Sequence, residues 1–305
     1  MDSNLIGMTA AVVTSCLWTF GALLFTSAGK RIGSFSVNAY RTIIAIGFLA
    51  VSHFVLLGVP LPVATNEQWF WIGMSGIVGL CIGDFAVLRA FVIIGPSRSL
   101  LVYTLSPVFA SVGAYLMLGE TVQPFGLVGM SITLTGIIVV IREKQESGEQ
   151  DAVSKKLKTW GLFFALVGAV SQGIGVVLAK KGMYLDPNMT LNPLSATLIR
   201  MLLGALFVWM CVPATRKVSA VRRALRDKKG IKLAAAGAFV APFLGVTLSM
   251  VAVAYTQAGI AQTLMSLMPV LIIPVVWVFY KQRTSLQGIL GAIVAVIGVA
   301  VLFLT

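Results

Sequence analysis

The chain has 305 residues, 58% of them hydrophobic and 11% charged, with a mean hydropathy of +0.96. A soluble domain carries about 25% charge, so the composition excludes a water-soluble globular protein and makes lipid the solvent. The net charge is +13, but the basic residues stand between apolar runs without an aromatic-and-basic platform, which excludes a nucleic-acid partner and points to membrane topology and contact with anionic lipid.

About 20 apolar residues cross a bilayer as a helix. By that rule the chain predicts spans at 5–27, 35–57, 68–93, 98–118, 122–141, 159–180, 193–212, 233–256, 260–280 and 285–304. No basic residue precedes Leu5, so the first run is expected to be a span rather than a cleaved signal peptide. Two connections are long. Residues 142–158 form a polar linker. Residues 213–232 are basic, with Val218, Val221 and Leu225 at helical spacing. That segment is either an amphipathic stretch on the membrane surface, facing anionic lipid, or a solvated loop. The expected fold is an all-α integral membrane protein of ten transmembrane helices, with 1–141 and 159–305 as two inverted five-helix repeats.

The repeat is legible without a gap. Gly83, Pro107, Gly126, Gly129 and Gly136 recur as Gly245, Pro269, Gly288, Gly291 and Gly298. Leu105 and Val108 recur as Leu267 and Val270. Four of the five glycines in the second window coincide with glycines in the first, where chance gives roughly 0.6. Five spans is an odd number, so the second half enters from the opposite side of the membrane. Of the 23 basic residues, 18 fall on connections of one face and only Lys180 and Lys181 on the other; Arg41, Arg89 and Arg200 lie within spans. The positive-inside rule places the 18 in the cytoplasm and both termini outside.

The repeated segments carry a family resemblance. SCLWTFGALLFTSAGK (15–30), SRSLLVYTLSPVFASVGAYLMLGE (97–120) and PFGLVGMSITLTGIIVV (124–140) look like one EamA unit, and SQGIGVVLAKKG (171–182), AQTLMSLMPVLIIPVVWVFYKQR (261–283) and QGILGAIVAVIGVAVLF (287–303) like a second. The chain resembles a ten-span EamA-type member of the drug/metabolite transporter superfamily. The resemblance implies a central cavity lined by spans 1, 3 and 4 and their counterparts 6, 8 and 9, with spans 5 and 10 outside. It also implies cytoplasmic termini, against the charge count. Lys281-Gln282 departs from the pattern, standing where the first copy has Gly119-Glu120.

Asp84 is the only acid in a span core. An ionised group at that depth costs about 2.5–3.5 kcal/mol on insertion scales, so it needs a partner or water. Arg89 lies on the wrong side of the same helix, whereas Arg41 in span 2 sits at a similar depth. Asp84 is therefore a substrate-amine or proton site, or half of a structural pair with Arg41. Arg41 and Arg200 each follow a serine by five residues (Ser36, Ser195). Their equivalence favours a structural or gating role over substrate contact. Trp18 corresponds to Gln172. Tyr103, with Ser99 and Ser106, and Gln262, with Ser266, repeat at helical spacing in spans 4 and 9. Such groups either line a cavity or hydrogen-bond packed spans. Pro107 and Pro269 are expected as paired kinks.

Cys16, Cys81 and Cys211 are scattered in apolar runs, suggesting neither a disulfide framework nor a metal cluster, and His53 is the only histidine. No cofactor is expected. An intramembrane aspartyl enzyme needs two acids, so no enzymatic activity is expected either. The reading is a secondary transporter, an exporter of a small polar or amphipathic metabolite such as an amino acid, in the inner membrane of a prokaryote. The alternatives are a flippase for lipid head groups or lipid-linked sugars, and a membrane scaffold.

Overall fold

The computed structural model describes residues 3–94, 96–146, 155–185, 190–280 and 285–304, and every regular element among them is helical. Nine helical stretches of the described residues are long and apolar enough to cross a membrane, and Ala258–Pro274 is a shorter apolar one. Large apolar side chains such as Val51, Val55, Leu56 and Leu116 point outward, which is stable only in lipid. The hydroxyls of Thr14, Thr19, Thr133 and Thr263 return to carbonyls one turn back at 2.7–2.8 Å. That local bond satisfies a polar group where no water reaches.

Helices α1 (Ser3–Ile32) and α2 (Ser34–Leu57) are joined through Gly33 alone, whose φ of 80° suits glycine. The span expected at 68–93 is not one regular helix. It comprises α3 (Asn66–Ser75), a π-helical segment (Gly76–Gly83) and α4 (Asp84–Ile94). Thr65 opens it with a reciprocal capping box to Gln68. The span expected at 98–118 divides into α5 (Pro96–Tyr103) and α6 (Ser106–Leu118), followed by α7 (Pro124–Glu146).

The second half repeats these irregularities. After α8 (Lys155–Met183) and α9 (Pro193–Ala214) come α10 (Val218–Ala224), α11 (Lys228–Ala238), a π-helical segment (Phe239–Gly245) and α12 (Val246–Tyr255). Then follow α13 (Ala258–Met265), α14 (Met268–Tyr280) and α15 (Leu286–Phe303). The breaks at 104–105 and 266–267 have one cause. Pro107 and Pro269 have no N–H to return to Tyr103 and Met265, and each disfavours helical geometry in the residue before it. The prolines thus sit in the first turn of α6 and α14, and the kink lies just ahead of them.

The basic segment 213–232 is also divided. α10 docks through buried Val221 and Ala224, with the Tyr40 hydroxyl donating to the Val221 carbonyl at 2.8 Å. Asp227 then caps α11 by accepting from the Gly230 amide. That amide, with Arg31 beside it at 2.9 Å, holds the Asp227 carboxyl below the usual carboxylate range. Of linker 142–158, residues 147–154 lie outside the described residues, and the rest belongs to the ends of α7 and α8.

Packing interleaves the halves. α1 lies against α11–α12 and α13, and α8 lies against α3–α4 and α6. The two crossings match residue for residue. Gly7 meets Thr256 as Gly161 meets Ile94, and Gly21 meets Ala241 as Gly175 meets Gly79. Gly245 meets Trp18 as Gly83 meets Ser171 and Gln172. The repeat glycines Gly83 and Gly245 therefore mark where the first helix of one half crosses the third span of the other. On the flank, α7 and α15 form the most extensive helix pair, through Gly129, Gly136, Gly291 and Gly298.

Candidate functional site

The helix breaks, the π segments and the two crossings surround one central cavity of about 250 Å³. Trp18, Arg41, Asp84, Tyr103, Gln172, Gln262 and Pro269 line it, with apolar walls from Phe25, Leu80, Met201, Ala205 and Val208. The geometry follows from local structure. Asp84 is the first residue after the π segment, whose wider turn changes the register of the helix that follows. Tyr103 is the last residue of α5 before the break. Trp18 reaches the wall because Gly245 has no side chain: a Cβ there would lie 2.7 Å from the indole Cδ1.

Arg41 and Asp84 are paired, Nη2 to Oδ2 at 2.6 Å, across the space between α2 and α4. Their side chains stay 25% and 29% exposed because both face the cavity. The Arg41 guanidinium also lies 5.4 Å from the centre of the Phe25 ring.

Arg200 differs. Its position is equivalent to Arg41, but the repeat register puts Val246 where Asp84 stands. It is 3% exposed and lies behind the cavity wall, against Met250 Sδ at 3.7 Å. The bare backbone of Gly79 makes room for it, since a Cβ there would be 2.9 Å from Nη2 and 3.2 Å from Gln172 Oε1. Among the described residues its Nε has no hydrogen-bond partner, nor do the buried Oε1 atoms of Gln172 and Gln262. Gln262 uses its amide nitrogen to donate to Ser106 Oγ at 3.0 Å, linking α13 to α6. Pro107 is buried but does not line the cavity.

A side hollow adjoins this cavity. It shares Phe25, Arg41 and Asp84 with the centre and runs past Val37 and Val87 to Lys30 and Ser34, where α1 ends and α2 begins. In the second half α9 packs along α12, but α2 and α4, their counterparts, have no comparable packing. The Arg41–Asp84 pair bridges this gap.

Comparison with known proteins decides the family. The EamA-like transporter family matches residues 5–142 and again 159–304. The chain belongs to the EamA-like transporter family. It is accordingly a membrane transporter of the drug/metabolite type and a multi-pass integral membrane protein. One solved crystal structure superposes on the chain with a TM-score of 0.76 over 99% of this chain and 97% of the other, at 18% identity. At that identity the likeness shows the fold alone. No curated protein matches the chain.

Sequence reasoning missed two polar clusters. His53 is buried, its Nδ1 against the Val59 carbonyl at 2.6 Å and its Nε2 against Ser195 Oγ at 2.9 Å, tying α2 to α9. Glu120 and Lys180 form a further ion pair at 2.5 Å. Their positions at span ends carried no signal beyond ordinary topology charges, because their partners lie 60 or more residues away in sequence.

Proposed function

We propose that this EamA-like transporter is a secondary transporter exporting a small polar or amphipathic metabolite, such as an amino acid, by alternating access between inverted halves 1–141 and 159–305. Linker 142–158 joins them. The carrying observation is the central cavity, to which both halves contribute polar groups. Its size is just below the roughly 300–1,000 Å³ of drug-sized sites, which suits a metabolite. The Gln172 and Gln262 oxygens, both at the cavity lining and without a partner among the described residues, are acceptors for an amine. Ten spans and inversion are supported by the matching helix crossings together with the odd number of spans per half. The sequence contains no phosphate-binding loop, so gradients of substrate, proton or another ion supply the energy.

Export by cells, screened across metabolites with and without the protein, tests the function. In the exported compound, Trp18→Ala and Tyr103→Ala are expected to reduce export strongly at unchanged expression. Normal export by both variants would make them packing residues.

The side hollow between α1, α2 and α4 favours a second reading, a flippase whose substrate keeps its tail in lipid. Lipid scrambling by purified protein in vesicles separates the two. The docked α10 supports contact of 213–232 with anionic lipid, since Val218 and Leu225 stay exposed beside Arg222 and Arg223. The inner membrane of a prokaryote is the proposed location. From the basic-residue count, a cysteine introduced in 142–158 is expected to resist an impermeant thiol reagent in intact cells. Ready labelling there would place the termini in the cytoplasm instead.

A further inference from the structure

One end of the bundle holds a cluster of polar groups that the central site does not use. This is the end where α1 begins; with 30 residues at about 1.5 Å each, α1 places Asn4 and Lys30 at opposite ends. Here Glu120, just past α6, pairs with Lys180 near the end of α8, and their side chains are only 16% and 14% exposed. The other Glu120 oxygen accepts from the Ala258 amide at 2.9 Å, one of the donors left free at the start of α13. Lys180 also donates to the Thr256 carbonyl at 2.6 Å, where α12 ends. The Thr256 hydroxyl reaches Asn4 of α1, and the Gln257 amide reaches the Thr121 carbonyl. Helices of both halves thus meet in one polar knot.

We propose that Glu120 and Lys180 are a gate that holds the amino-terminal end of the transport path closed in the resting state. The proposal rests on the alternating-access reading. Two observations carry it past simple packing. First, the central cavity shares Phe25, Arg41 and Asp84 with a side hollow that runs to Lys30 and Ser34, at the opposite end from the knot. Second, the pair has no counterpart in the repeat. The register that matches Gly83 to Gly245 puts Gln282, which has no carboxylate, at the position of Glu120. The register that matches Trp18 to Gln172 puts Thr26 at the position of Lys180. The end where α1 finishes has its own pair between the halves, Arg31 with Asp227, but those side chains are 42% and 28% exposed and such a pair contributes little, so the buried Glu120–Lys180 pair biases the protein towards closing the amino-terminal end. The asymmetry of helix packing agrees, with α9 against α12 but α2 separated from α4. Removing either charge leaves the other poorly solvated and weakens the link between α6, α8 and the start of α13.

The test needs no transported substrate. Cys16, Cys81 and Cys211 are replaced by alanine, and Ser266→Cys is added as a reporter in the cavity wall. A membrane-impermeant thiol reagent is applied to sealed vesicles of each orientation. The parent protein is expected to react from the end where α2 begins and slowly from the amino-terminal end. Glu120→Gln and Lys180→Gln are each expected to raise the slow rate about tenfold or more, and the exchange Glu120→Lys with Lys180→Glu to return it towards the parent value. An unchanged rate in both neutral variants overturns the gate while leaving the cavity as a path. A reporter that reacts from neither end in any variant overturns both the gate and the transport reading. If melting of the purified protein shows that both neutral variants fail to fold, the pair is a structural bridge, which also overturns the proposal.

Discussion

Asp84→Asn is expected to lower the melting temperature of the purified protein, and Arg41→Gln in the same chain to recover most of the loss. The amide is close in shape to the carboxylate, so the substitution removes charge and leaves packing in place. Breaking a buried pair costs about 3–5 kcal/mol, whereas exposed pairs contribute about 0–1 kcal/mol. Arg41 and Asp84 are a quarter exposed to a cavity within the bundle, which places the expected loss at about 1–3 kcal/mol. Export separates a bridge from a working site. If the carboxylate takes up a proton or binds an amine, export in the double variant stays blind to pH or to the amine although the fold is recovered. If the pair is only a bridge, the double variant regains both. A stable Asp84→Asn protein with full, pH-dependent export would sink both roles.

Gly136→Leu is expected to cost more, about 3 kcal/mol or above, and to prevent a properly folded protein from accumulating. In lipid, helices gain little from apolar burial and associate through close packing of small faces. A Cβ at Gly136 would come within 2.6 Å of the Gly291 carbonyl oxygen and 2.7 Å of Ala295 Cα. Overpacking usually costs about 1–3 kcal/mol when side chains can shift. Here the obstacle is backbone, so α7 and α15 must separate. Gly47→Ala in α2 is the control: nothing lies within 4 Å of a Cβ there, and about 0.5–1 kcal/mol of stabilisation is expected from helix propensity. Melting of Gly136→Leu at the parent temperature would remove close α7–α15 packing from the account.

The sequence by itself determined the lipid solvent, the helical class and the internal repeat. These are properties of local composition and spacing: apolar runs set helix length, and the recurrence of Gly83, Pro107 and Gly136 as Gly245, Pro269 and Gly298 needs no knowledge of contacts. It also singled out Trp18, Asp84, Tyr103, Gln172 and Gln262, because polar and aromatic groups at membrane depth need partners or water wherever they fall. Tertiary structure decided which of them meet. Arg41 and Arg200 look alike along the chain, yet one bridges to Asp84 across the cavity and the other is buried behind the wall, because Val246 stands at the second acid position. Kinks were expected at Pro107 and Pro269, but the π segments at Gly76–Gly83 and Phe239–Gly245 were not, since hydropathy records that a segment crosses the membrane and not how its backbone turns on the way. The Glu120–Lys180 knot was invisible for the same reason. Its partners come from the starts and ends of spans distant in sequence, and only the interleaving of the two halves brings those ends together.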